Sequence, residues 1–345
     1  MGLTDASRVA VVGAGSWGTA FATITAEKGV DTVLWARRSD LADEINAQHR
    51  NPDYLGEFEL PPSLTASHDV QKAVEGADVV VMAVPSHAFR EVFIQVHPHV
   101  ADGVPFVSLT KGIEQDTLQR MTEVMADEAG LAADRLAVVS GPNLAKEVMR
   151  RMPSASVVAC ADEATADVLQ GLFMAPFFRV YTNPDVVGCE LSGAMKNVIA
   201  IAAGIADGMG FGDNSRASLI TRGLAEVARL GVKLGADPLT FAGLAGMGDL
   251  VATCISKLSR NRGVGEELGR GRKLDDIVGE TRMVAEGVKT SKAVLALGKR
   301  QGVDLPLTEQ VVKVLYEGVA PGDMVLSLML RSAKPEMHGI HGRGS

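Results

Sequence analysis

Apolar residues in the first half of the chain come as short unbroken runs closed by turn residues. RVAVVGAG (8–15), DTVLWAR (31–37), ADVVVMAVPS (77–86), PFVSLTKG (105–112) and LAVVSGP (136–142) share this form. Runs that are β-branched and uninterrupted predict strands buried on both faces. Segments of helical spacing lie between them, the clearest being SWGTAFATITAEKG (16–29), which stops at Gly29. SASVVACAD (154–162) and FFRVYTNPD (177–185) read as further strands. Strands that alternate with helices predict an α/β domain built on a doubly wound, mostly parallel sheet.

The pattern changes after Pro184. Alanine, glycine and leucine now dominate, in GAMKNVIAIAAGIADG, SLITRGLAEVARLGVKLG, TRMVAEGVKTSKAVLALGKRQG and PLTEQVVKVLYEG. Their spacing is helical, with breaks at Gly, Pro and Asp. We therefore expect a sheet domain over 1–185, an all-α domain over 186–331 and a polar, glycine-rich, disordered tail over 332–345. The length of 345 residues fits about two domains. No internal repeat is visible.

Composition narrows the function. A net charge of −8 argues against a general nucleic-acid binder, which needs a basic face, but leaves room for a local basic pocket that holds a small anion. Three separated cysteines, Cys160, Cys189 and Cys254, form no CxxC pair and suit a reducing compartment as buried thiols. The N-terminus lacks a basic stretch followed by an apolar run, and no uninterrupted apolar stretch reaches the ~18 residues of a membrane span. Lys196, Asn197 and Asp207 interrupt the nearest candidate. A cytoplasmic location is the expectation.

The first chemical motif is GAGSWG, which sets Gly13, Gly15 and Gly18 in G-x-G-x-x-G spacing. Here it follows a strand and opens a helix, the context of a Rossmann dinucleotide site. Gly13 permits the turn, Gly15 lets backbone approach a pyrophosphate, and Gly18 lets helix and strand pack closely. The helix N-terminus offers free N–H groups to phosphate. An NAD site commonly carries an acidic residue about 20 residues after the motif. This chain has Trp35-Ala36-Arg37-Arg38 at the end of that strand. Two guanidiniums suit a 2′-phosphate, so NADP(H) is favoured, with NAD(H) possible. VPSHAF (84–89), TKG (110–112) and SGPNLAKE (140–147) end later strands, where ligands bind in doubly wound sheets. Lys111 thus lies near nicotinamide or substrate, Gly141 permits close approach, and Asn143 is placed to cap a helix.

In the second half, Lys196 stands in an apolar helix where an ammonium loses hydration. Asp249, in GMGDLVATC (246–254), is equally costly unless paired. If the two meet, they form a proton-transfer pair. Separately, Lys196 can snorkel and Asp249 can cap a helix. In KLSRNRG (257–263), Ser259, Arg260 and Asn261 open a helix suited to a phosphate. His97 and His99 flank Pro98 without ligand spacing, and no metal cluster is expected.

With these residues in view, the chain resembles the NAD(P)-dependent glycerol-3-phosphate dehydrogenases of the bacterial type. The resemblance covers about 7–331 and is carried by GAGSWGTA, VPSHAF, LTKGIE, SGPNLAKEV, GAMKNVIAIAAGIADG, TRGLAEV, GMGDLVATC and SRNRGVG. It implies reversible reduction of dihydroxyacetone phosphate to sn-glycerol 3-phosphate for glycerophospholipid synthesis. It implies Lys196 as the proton-transfer residue, with Lys111 and Asp249 beside it. Gly141, Asn143, Asn197, Ser259, Arg260 and Asn261 complete the implied substrate site. For the cofactor it implies Ser16, Trp17, Arg37, Arg38, Lys111, Ala145, Arg260, Val284 and Glu286. A homodimer is implied, and no metal. The chain departs from the common pattern at Asn143-Leu144 and Met195. Two rivals are a β-hydroxyacid dehydrogenase of the 6-phosphogluconate type and a non-catalytic NADPH-sensing module. The first resembles a pattern with Lys and Asn four apart, whereas Lys196 and Asn197 are adjacent. The second leaves Lys196, Asp249 and Arg260 unexplained.

Overall fold

The computed structural model describes residues 8–279 and 285–336. Eight strands form one sheet: β1 (Arg8–Val12), β2 (Asp31–Trp35), β3 (Leu64–Ser67), β4 (Val79–Met82), β5 (Phe106–Ser108), β6 (Leu136–Ser140), β7 (Ser154–Cys160) and β8 (Phe178–Asn183). Their spatial order is β3-β2-β1-β4-β5-β6-β7-β8. Neighbours run parallel except β6 and β7, which are antiparallel. The first six strands thus follow the doubly wound order that reverses between β1 and β4.

Side-chain alternation sorts the strand residues onto two cores. Val9, Val11, Val79 and Val81 face one layer with Phe21 and Ile24 of the helix Ser16–Glu27. Ala10, Val12, Val80 and Met82 face the other with Phe89 and Phe93. Period-two alternation in strands covered on both sides produces this double burial. The one strand absent from the sequence reading is β3. It is a four-residue edge strand, LTAS, with only Leu64 fully buried, so no apolar run announces it.

The chain forms two compact units. One holds residues up to Thr110 together with Met121–Val186. The other holds Lys111–Arg120 and the chain from Val187 onward. In this division the ten residues after β5 group with the helical unit.

That helical unit is built around the 23-residue helix Val186–Gly208, here called the core helix. The core helix is long and apolar enough to cross a membrane, yet 89% of its apolar window is buried inside the protein. Its C-terminal half meets the helix Arg260–Gly269 backbone to backbone. A Cβ at Gly204 would lie 2.0 Å from the Arg262 carbonyl, and one at Gly265 would lie 2.0 Å from that of Ile201. Gly208 and Gly269 repeat the arrangement one turn on. Reciprocal glycines at spacing four let the two helices approach far more closely than larger residues allow. Of the tail expected over 332–345, residues 332–336 are exposed without regular structure, and 337–345 lie outside the described residues.

Candidate active site

In the sheet unit, the glycine loop leaves β1 and enters the helix Ser16–Glu27. Gly13 has φ +121°, and a Cβ there would lie 2.7 Å from the Ala83 carbonyl. A Cβ at Gly18 would lie 2.0 Å from the Gly13 carbonyl. Both glycines are demanded by the fold itself. Gly15 differs, because a Cβ there meets nothing within 4 Å. It borders open space at a helix N-terminus, a cradle that a side chain would fill and a pyrophosphate fits. Asn51, fully buried, braces this loop from below. Its amide donates to the Ala14 carbonyl at 2.9 Å and to Thr19 Oγ1 at 2.8 Å. The sequence reading did not single out Asn51, since a lone Asn before Pro52 signals only a turn.

The two arginines after β2 are not equivalent. Arg38 is held by Asp53 and lies 3.5 Å from Asp40. Arg37 is exposed and has no ion-pair or hydrogen-bond partner among the described residues. Ser16 and Trp17 start the helix, half-buried, and Trp17 packs edge-on against Phe21 at 5.7 Å. Gly141 is buried at φ +137°, with Ser156 Cα 3.0 Å from where its Cβ would sit. The helix Ala145–Met149 follows, and Leu144, not Asn143, occupies its N-cap position.

The helical unit assembles the titratable groups. A single π-helical turn, Leu244–Gly248, feeds the short helix Asp249–Ile255 and places Asp249 at its first residue. The side chain of Asp249 does not cap that helix. Its Oδ1 accepts from Lys196 Nζ, and its Oδ2 accepts from Lys111 Nζ at 2.7 Å. Lys196 also donates to Thr253 Oγ1 at 2.8 Å, and that hydroxyl donates back to Asp249 Oδ1 at 3.2 Å. Lys196 and Asp249 thus meet, and Lys111 makes a third member. Side-chain exposure is 9% for Lys196, 2% for Asp249 and 13% for Lys111. Thr253 escaped the sequence reading, although its position four residues after Asp249 put it on the same helix face.

Two ammoniums share one carboxylate, so the cluster carries a net positive charge when all three are ionised. Burial pushes the Lys111 ammonium down to about 7; Asp249 opposes the shift and Lys196 adds to it. Burial alone would raise Asp249, but the two lysines hold it below the usual carboxylate range. Beside them, burial pushes the Cys254 thiol up to about 12, which leaves it an inert packing group. All three cysteines are buried and free.

Asn197, next to Lys196, begins a relay of amides. Asn261 Nδ2 donates to Asn197 Oδ1 at 2.9 Å, and Asn261 Oδ1 accepts from the Gly287 amide at 2.9 Å. Asn197 Nδ2 reaches the Lys111 carbonyl at 3.4 Å. Ser259 Oγ caps the helix Arg260–Gly269 by accepting from the Arg262 amide at 3.2 Å. Arg260, its first residue, is exposed, while Asn261 is buried. Glu286 opens the helix Glu286–Gln301, and Val284 lies outside the described residues. No group of three or more His, Cys, Asp and Glu able to hold a metal occurs among the described residues.

A glycine-loop sheet unit joined to a helical unit with buried lysines defines a dinucleotide-dependent dehydrogenase. The family described as NAD-dependent glycerol-3-phosphate dehydrogenase matches over both its parts, the N-terminus at residues 8–166 and the C-terminus at 185–326. The chain belongs to this family of oxidoreductases. It is 55% identical over 334 residues to a glycerol-3-phosphate dehydrogenase [NAD(P)+] of Streptomyces griseus, covering 97% of this chain and 99% of that one. The crystal structure of glycerol-3-phosphate dehydrogenase from Coxiella burnetii superposes with a TM-score of 0.90 at 39% identity, covering 94% of this chain and 99% of that chain. The yeast glycerol-3-phosphate dehydrogenase structure gives 0.80 at 29% identity, covering 93% and 99%.

Proposed function

We propose that the chain reduces dihydroxyacetone phosphate to sn-glycerol 3-phosphate, reversibly, with Lys196 as proton donor. The observation that supports this most is the buried cluster with two ammoniums and one carboxylate. Its surplus positive charge awaits a negative one, which a phosphorylated ketone on its way to an alkoxide supplies. Lys196 has three N–H groups and two acceptors among the described residues, Asp249 and Thr253. Its third N–H serves the substrate oxygen. A bound NAD(P)H supplies the hydride, and the glycine loop with Arg37 would hold it.

As the carbonyl oxygen gains charge, Lys196 first stabilises it and then transfers a proton from Nζ. In the oxidative direction neutral Lys196 takes the hydroxyl proton. Asp249 fixes both ammoniums, one on each oxygen. Lys111 adds positive potential, and that contribution fades as pH rises through its lowered value near 7. Arg260 and the capped start at Ser259, with Asn261, are suited to the substrate phosphate.

The direct test is loss of NADPH absorbance on adding dihydroxyacetone phosphate. Oxidation supports the assignment. Reduction of NADP+ by a phosphorylated sugar acid, with no NADPH oxidation by dihydroxyacetone phosphate, would assign the chain to a different substrate, and neither reaction would leave it a binding module.

The same reading favours NADP(H) through Arg37 rather than Arg38. Arg37→Ala is expected to raise KM for NADPH about 10- to 100-fold while leaving NADH within about threefold, as loss of a charge-assisted phosphate contact dictates. Arg38→Ala is expected to change the NADPH/NADH ratio less than about threefold, because Arg38 is already engaged by Asp53. Steady-state kinetics with both cofactors decides; equal loss for both cofactors in Arg37→Ala overturns the 2′-phosphate assignment.

A further inference from the structure

The ten residues that leave the sheet after β5 form a closed loop on the helical unit. Ile113 and Arg120 pair as an antiparallel bridge. Inside it, the Glu114 amide donates to the Gln119 carbonyl at 3.0 Å and the Leu118 amide to the Glu114 carbonyl at 3.1 Å. Leu118 sits at φ +62°, a left-handed conformation that a leucine adopts only when its surroundings impose it.

The helical unit supplies much of those surroundings. Ile113 is fully buried against Leu191, Ala194 and Met195 of the core helix. Gln115 Nε2 donates to the Lys289 carbonyl at 3.2 Å, and Arg300 donates to the Thr117 carbonyl at 3.1 Å. At the far end, Arg120 Nη1 bonds Glu190 Oε2 at 2.6 Å, with side-chain exposures of 14% and 3%. Glu190 lies six residues before Lys196 on the same helix. The loop is therefore clamped at both ends, by Lys111 on Asp249 and by Arg120 on Glu190. Neither Glu190 nor Arg120 is needed by the chemistry described above. A buried carboxylate on the apolar core helix is costly unless it is paired, and breaking such a pair is strongly unfavourable.

We propose that the Arg120–Glu190 ion pair is a latch that positions Lys111. It holds the loop 111–120 on the core helix so that the Lys111 ammonium stays on Asp249, in register with Lys196. Both are positioning residues, acting through Lys111. The inference deepens the functional reading above and rests on it for the kinetic arm alone.

The test is Glu190→Gln, read by amide hydrogen exchange and by NADPH oxidation with dihydroxyacetone phosphate. Exchange across 111–120 is expected to accelerate about tenfold or more, while peptides of the core helix beyond Lys196 keep their protection. Turnover is expected to fall about 10- to 100-fold, with KM for NADPH within about threefold, the signature of a lost transition-state contact rather than a lost cofactor site. If exchange in 111–120 is unchanged, the latch is overturned whatever the kinetics. If exchange accelerates and kcat is unchanged, the positioning role is overturned. If Glu190→Gln loses protection everywhere, breaking the buried pair is unfolding the protein, and Arg120→Met with Glu190→Leu removes both charges. That pair must still loosen 111–120 and lower kcat; wild-type kcat in it overturns the proposal. Exchange is measured without substrate, so it stands even if the substrate assignment fails.

Discussion

Lys196→Met lowers kcat by roughly 10³- to 10⁵-fold, combining the loss of a positioned general acid with the loss of its charge beside the developing alkoxide. Methionine keeps the length of the side chain and the packing of an almost wholly buried position. Lys111 still pairs with Asp249 Oδ2, so the carboxylate keeps a partner. The defect should therefore be chemical rather than structural. NADPH affinity, measured by fluorescence titration, should stay within about threefold, because the variant leaves the glycine loop and Arg37 untouched. Turnover within about tenfold of wild type would remove Lys196 from the proton-transfer role.

Asp249→Asn removes the carboxylate that pairs with both Lys196 and Lys111. Breaking one side of a buried ion pair costs about 3–5 kcal/mol, unless a lysine sheds its proton to avoid it. Lys111, already lowered to about 7, is able to yield its proton. The expected result is a kcat lower by about 10²- to 10⁴-fold and a Tm lower by roughly 6–12 °C. The stability difference depends on pH with a definite sign. Asp249 is depressed in the folded protein, so its contribution is fully present above the ordinary carboxylate value. It disappears as pH falls through the depressed value. Thermal melting of wild type and variant should therefore converge in strong acid and differ most near neutrality. A difference that widens on acidification would exclude the paired arrangement.

The sheet was legible because its strands are covered on both faces. Val9–Val12 and Val79–Met82 read as apolar runs for the same reason that they fill two cores. Leu64–Ser67 was not legible, since an edge strand with one buried residue needs no such run. Lys196 and Asp249 were each conspicuous as charges in apolar surroundings, but their contact spans 53 residues and no spacing rule reaches that far. Lys111 was read from the end of a strand, which suggested the sheet unit; the loop that carries it to the helical unit is fixed by Ile113 burial and the Glu190 pair, both long-range. Asn143 had the right chemistry for a cap, but the helix begins two residues later with Leu144 in that place. Arg37 and Arg38 look alike in sequence, and only the approach of Asp53 from 15 residues away separates them.

The excursion of 111–120 also sets an order of assembly. A chain made from its N-terminus presents Lys111 long before Asp249, which follows 138 residues later. The sheet unit is complete once Val186 has been made, and domains generally fold as units during synthesis. At that moment the loop 111–120 has neither the core helix nor the carboxylate to rest on. Glu190 emerges 70 residues after Arg120, and Asp249 comes later still. The three-charge cluster is therefore a late product of folding, formed only after most of the chain exists. A nascent or truncated chain ending before Asp249 would lack the carboxylate on which the Lys111 ammonium rests.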